Sequence, residues 1–232
     1  MEPTYGYGEY ALTSNSVEAR ARFITRTYNH LFGAIVAFAL IEIALFQSGL
    51  AAVIAQGMMG VSWLLILGAF MVVSWLASRA AHTAESLAVQ YAGLGAYVLF
   101  QAILFVPLLY MADNLAPGVI SSAALVTFIG FAGLTGIAFY TRKDFSFLRG
   151  IVLMGGIGAL ALIAAGALFG FELGTFFSVA MVTLAGAAIL YDTSNVLHHF
   201  PEDRYVGAAL QLFASVALMF WYVLRLFLAS RD

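Results

Sequence analysis

From residue 28 onward the chain is a succession of long apolar runs separated by short polar interruptions. Seven runs stand out, at 28–46, 61–76, 87–110, 118–140, 150–169, 175–190 and 206–228. Each approaches the roughly 20 apolar residues that a helix needs to cross a bilayer. The runs are continuous, which argues against the two-residue alternation of a transmembrane β-barrel. Helices also satisfy their backbone groups internally, as hydrocarbon demands. The pattern predicts an all-α integral membrane protein with seven transmembrane helices. The second run is the least well defined, because residues 57–62 dilute its start. Residues 1–27 are polar, Tyr/Gly-rich and then Arg-rich, and carry no early apolar core of a signal peptide. They read as an amino-terminal tail, loose to about Leu12, with Asn15 and Glu18 spaced as a helix N-cap and its partner. Residues 28–232 read as a single transmembrane domain, since no long linker and no internal repeat interrupts them.

Composition agrees with this pattern. The chain is 63% hydrophobic and 9% charged, against roughly 25% charged in a soluble domain. An aromatic content of 15% excludes disorder. The net charge of −2 offers no basic surface for nucleic acid. Cysteine is absent, and with it disulfides, thiol nucleophiles and thiolate metal sites. The ten basic residues are unevenly placed. Arg20, Arg22, Arg26, Arg79, Arg142, Lys143, Arg149 and Arg204 all fall on one side of a seven-span arrangement, leaving Arg225 and Arg231 near the carboxyl end. Basic residues favour the cytoplasmic side, so the amino terminus is expected inside and the carboxyl terminus outside. A six-span arrangement orders the later spans less consistently.

Ionisable side chains within spans are expensive and mark candidate sites. Asp192 ends span six and Arg79 ends span two. At about 1.5 Å per residue the two lie roughly 26 and 27 Å from the outer border, so they can pair or can each be solvated at the headgroup level. Glu42 in span one and Arg225 in span seven form a second possible pair; the alternative is a lone protonated Glu42 facing the bundle. Asp192, Asn195 and His199 share one helical face by i, i+3, i+7 spacing, with His198 beside them and Pro201 beyond. They read as a solvated helix end or as a pH-sensitive element, and supply too few convergent ligands for a metal. Glycines at 166, 170 and 174 and at 130, 133 and 136 suit close helix packing. Pro107 can kink span three.

Enzyme classes find little support. The H-E-x-x-H of metalloproteases and the G-x-S-x-G elbow of hydrolases are missing. A single intramembrane aspartate after Tyr191 cannot form an aspartyl-protease dyad. The one lysine, Lys143, lies in a loop and cannot hold retinal. No cofactor is expected.

Two segments carry a family resemblance: Y-T-R-K-D-F-S-F-L-R-G at 140–150, and I-L-Y-D-T-S-N-V-L-H-H-F with Y-V-G-A-A-L-Q-L-F-A-S-V-A-L-M-F within 189–220. With Arg26-Thr27-Tyr28 before span one, they resemble the Bax inhibitor-1 family, above all its bacterial YccA branch. Arg142, Lys143 and Asp144 belong to the first motif. The resemblance implies a non-enzymatic inner-membrane protein in which six helices surround a central last helix. It also implies a pH-sensitive calcium leak gated by two facing aspartates and an arginine. Asp192 matches the first aspartate and Arg79 the arginine. Ser215 stands at the second, as in the YccA branch, so a shared-proton pair cannot form. That branch is associated with modulating the membrane protease FtsH. The expectations are a cation leak gated at Asp192, with the alternatives of an FtsH modulator or a receptor or transporter of unidentified ligand. The expected partners are the lipid bilayer, Ca²⁺ as the transported ion, and FtsH.

Overall fold

The computed structural model describes the backbone of residues 6–230 and the side chains of residues 17–230. Arg231 lies outside them, as do residues 1–5 of the amino-terminal segment. The described residues form eight helices: α1 (Gly6–Gln47), α2 (Leu50–Met59), α3 (Trp63–Thr83), α4 (Leu87–Leu115), α5 (Val119–Thr141), α6 (Leu148–Phe169), α7 (Thr175–His198) and α8 (Tyr205–Ala229). Seven of them are long and apolar enough to cross a membrane. The chain is therefore an all-helical membrane protein with seven spans, as the apolar runs predict.

Two local expectations change. Asn15 lies inside α1, which is continuous from Gly6, so it does not cap the helix. The interval between the first two runs holds a separate element, α2. At 10 residues, or about 15 Å, it is too short to span a bilayer. Gly49, with φ +76°, turns the chain into it. Ala51 and Ala55, one turn apart, then pack with Val106 of α4, while Val53 and Met59 face outward.

Helices α4 and α8 are the most buried spans. Helix α8 packs against α1, α3, α4, α5 and α7. Helix α6 packs against α7 and α3 and joins α8 through a small cluster of Ala159, Met181 and Tyr222. The last helix is thus central, as expected, and α4 shares the interior. Elsewhere large apolar side chains point outward, as Phe176 does at 93% exposure, which suits lipid as solvent.

Close approach between backbones fixes where α3 sits. A Cβ on Gly93 of α4 would lie 2.7 Å from the Ala77 carbonyl oxygen and 3.0 Å from the Ala81 nitrogen. One on Gly207 of α8 would meet the Ala81 carbonyl at 3.0 Å. The buried stripe Ala77–Ala81 of α3 thereby nests on two helices at once, as small residues allow in lipid. The evenly spaced glycines have mixed roles. Gly170 ends α6 with φ +74°, whereas Gly133 and Gly136 face open space. Pro107 lies within α4, which remains helical through it.

Contacts across helix ends gather the basic residues. The Arg20 guanidinium donates to the Phe200 carbonyl at 2.7 Å, and that of Arg204 donates to the Ala84 carbonyl at 2.6 Å. The 142–147 segment reaches the end of α7 through Asp144 and His199. This basic end thus ties α1, the α3–α4 turn, the α5–α6 loop and the α7–α8 turn together.

Candidate functional site

The core has two large apolar clusters. One includes Phe23, Leu31, Val196 and Phe213; the other includes Phe105, Leu109, Ile189 and Ala217. Asp192 sits on α7 between Ile189 and Val196, and Ser215 on α8 between Phe213 and Ala217. The buried acid therefore lies at the seam of the two clusters, 3% exposed. Its partners come from α8, which runs antiparallel to α7 after a short turn. The Gln211 side-chain amide donates to Asp192 Oδ1 at 2.6 Å, and the Ser215 hydroxyl donates to Oδ2 at 2.5 Å. Gln211 and Ser215 are four residues apart and so share one face of α8. The i, i+4 spacing places one donor on each carboxylate oxygen. Hydrogen bonds to an ionised acceptor are worth about 1.5–3 kcal/mol each.

Tyr28 brings further hydroxyls near this clamp. Tyr28 of α1 approaches Thr135, Thr193 and Asp192. None of the three hydroxyls reaches a hydrogen-bond partner among the described residues. Two cavities flank the clamp. One, of about 400 Å³, is lined by Ser215, Tyr97 and Gln101 and extends to Trp63 and Trp221. The other, of about 260 Å³, is lined by Gln211, Ser78 and His82. Each donor that holds Asp192 faces one cavity, and Tyr97 and Ala214 belong to the walls of both.

The expected partner of Asp192 is not Arg79. The Arg79 guanidinium stacks over the Trp75 ring, 5.4 Å from its centroid. Depth does match, but direction does not. Ala77 and Ala81 form the buried face of α3, and Arg79, two residues from each, points to the other side. Glu42 and Arg225 do not pair either. Both Glu42 carboxylate oxygens are buried without a partner among the described residues, and Arg225 lies over the Tyr222 ring at 5.9 Å. The α8 face beside Glu42 carries Phe213, Val216 and Phe220. Arg225, nine residues after Val216, is about half a turn away from it.

The shared face of Asp192, Asn195 and His199 also dissolves. Helix α7 ends at His198, and His199 leaves helical geometry with φ −120°. Its Nε2 meets Asp144 Oδ2 at 3.0 Å. Asn195 is buried, and its carbonyl accepts the His199 and Phe200 amides. A loop clasp replaces the expected cluster. Asp144 Oδ1 accepts the Ser146 amide at 2.9 Å, which closes the turn into α6. The Ser194 hydroxyl accepts the Phe145 amide at 2.8 Å and donates to Asp144 Oδ1 at 3.3 Å. Arg142 precedes it with φ 51°, the one non-glycine left-handed residue among those described, and Lys143 follows. Asp144 thus holds the loop on α7, and Arg142 shapes the turn.

The backbone amide of Ser146, with His199 beside it, keeps the Asp144 carboxyl below the ordinary carboxylate range. A lowered carboxyl contributes stability that is present above that range and lost as pH falls through the lowered value. Ser194→Ala should free the loop, because the Phe145 amide loses its acceptor, at a cost of about 1–3 kcal/mol. Hydrogen exchange at Phe145 and Ser146, corrected for intrinsic rates, checks it. Exchange unchanged from wild type at neutral pH counts against the clasp.

Comparison with known proteins is consistent with these motifs. The family profile "Inhibitor of apoptosis-promoting Bax1" matches residues 20–232. The uncharacterized protein PA2604 of Pseudomonas aeruginosa is 29% identical over 220 residues, 92% of this chain and 93% of its own. "Modulator of FtsH protease YccA" of Escherichia coli K12 is 28% identical over 156 residues, 54% of this chain and 71% of its own. "Inner membrane protein YccA" of Escherichia coli O6:H1 matches to the same extent. A seven-span helical chain whose sequence matches one family profile from residue 20 to its last residue belongs to that family, and this chain is a member of the Bax inhibitor-1 family.

Proposed function

We propose that this chain is a non-enzymatic inner-membrane leak for calcium and other cations that opens on acidification. The observation that carries it is the buried Asp192 carboxylate, clamped by Gln211 and Ser215 between two cavities. In the closed state the ionised acid ties α7 to α8. Protonation removes the acceptor charge and weakens both hydrogen bonds. The α7–α8 contact then loosens and the cavities join. Calcium usually takes six to eight oxygens. Within the spans two carboxylates are buried, Glu42 and Asp192, beside hydroxyls and carbonyls, so ions pass without a tight resident site. The basic end is assigned to the cytoplasm.

The test is calcium release from dye-loaded vesicles containing the purified chain. Flux should rise severalfold from neutral to mildly acidic pH. Vesicles that match protein-free controls at both pH values would sink the proposal.

A second reading rests on YccA, whose name describes a modulator of FtsH protease. Here the amino-terminal segment engages the protease and the small-residue faces dock its membrane helices. Deleting residues 1–12 should then abolish modulation of FtsH activity in a co-reconstituted system. Unaltered proteolysis with and without the full chain removes this reading.

A further inference from the structure

Glu42 belongs to a site of its own. Helices α1 and α5 touch edge-to-face at Tyr28 and Phe139, whose rings are 5.6 Å apart. Farther along, a cavity of about 320 Å³ separates them, floored by α8. Its walls are apolar except at two points on facing helices: the Glu42 carboxyl of α1 and the Thr127 hydroxyl of α5. Glu42 is 7% exposed and Thr127 4%. Neither has a hydrogen-bond partner among the described residues. Around them stand the phenyl rings of Phe38, Phe128, Phe131 and Phe213. The mouth is edged by exposed Ala39 and Ala124, small side chains that leave it open toward lipid.

A buried carboxyl without a donor is expensive to keep. A carboxyl beside several aromatic faces is the recognition chemistry of an organic ammonium, which gains both a charge-assisted hydrogen bond and cation–π attraction. The volume matches the lower range of small-molecule sites. We propose that the α1–α5 cavity binds an amphiphile carrying a protonated amine on an apolar body. The ammonium donates to Glu42, the Thr127 hydroxyl accepts a second N–H, and the apolar body lies among the phenyl rings. This site lies apart from the Asp192 clamp and does not depend on ion conduction. Two sources supply the same chemistry: the headgroup of an aminophospholipid, or a free lipophilic amine.

The test uses the full chain in phosphatidylglycerol nanodiscs, with phenethylammonium as probe and phenethyl alcohol as its neutral counterpart. The wild type should bind the ammonium saturably, and Glu42→Gln should weaken it about tenfold or more. The alcohol should bind the wild type no better than the ammonium binds Glu42→Gln. Ala39→Phe, at an exposed position on the cavity mouth, should block binding with Glu42 intact. Thermal unfolding of each variant confirms the fold. Adding phosphatidylethanolamine then separates the sources: weaker probe binding to the wild type alone identifies the lipid headgroup, and no change identifies a free amine. Equal ammonium affinity in wild type and Glu42→Gln, equal affinity for the alcohol, or full binding by Ala39→Phe would overturn the assignment.

Discussion

Asp192→Asn is expected to flatten the pH profile of calcium flux. An asparagine side chain fits the same space but carries no charge, so it mimics the protonated acid: both hydrogen bonds are weakened and flux at neutral pH rises toward the acid level. It cannot gain or lose a proton, so acidification no longer changes the tether. Ser215→Ala differs in keeping the titratable acid: proton exchange persists, but one of the two donors is lost. A lost charge-assisted bond of about 1.5–3 kcal/mol shifts a closed-to-open balance about tenfold or more. Flux at neutral pH should therefore rise in Ser215→Ala and remain pH-dependent. Vesicle flux across pH on the three proteins separates the outcomes. A full acid response in Asp192→Asn would mean that another group senses protons, and the clamp would be structural only.

The second large effect is on stability, and it differs in sign between two glycines of one helix. Gly93→Ala drives a methyl to 2.7 Å from the Ala77 carbonyl, a backbone atom that cannot swing aside. Helix α3 must retreat from α4, at a cost of about 1–3 kcal/mol. Gly95→Ala, two residues on, meets nothing within 4 Å. There the usual helical preference for alanine applies and should stabilise by up to about 1 kcal/mol. Thermal unfolding in detergent compares the two. Destabilisation of equal size in both variants would show that the α3–α4 contact is looser than the backbone distances state.

Much of the fold was legible because hydrocarbon imposes a simple length rule. Seven apolar runs became seven spans with ends shifted by several residues at most, except in α1, α3 and α7, where the helix continues past its apolar part. Helix α2 escaped because a 10-residue apolar segment carries no spanning signature. It lies between the first two runs and only its last residues overlap the diluted stretch at 57–62. The candidate site was legible in part. Asp192 stood out as an intramembrane acid, and the family motif pointed to Ser215. Gln211 was missed, although a signal existed: it is the polar residue one turn before Ser215 on the same face of α8.

Depth alone misled twice. Arg79 is at the right level for Asp192 and Arg225 is within reach of the Glu42 end, yet both point away, because the direction of a side chain follows the buried stripe of its helix. The role of Asp144 was out of reach for a different reason. Its partners Ser194 and His199 are 50 and 55 residues away, and only packing of the α5–α6 loop on α7 brings them together.

The sequence by itself determined the solvent, the number of spans, the clustering of basic residues and the family, since each follows from local composition or from short motifs. The tertiary structure decided which donors hold Asp192, why Glu42 stands alone in a cavity, and how Asp144 fastens a loop. Those outcomes depend on the rotation of each helix about its own axis, which is set by small residues such as Gly93, Gly207, Ala77 and Ala81 meeting across interfaces that no single segment encodes.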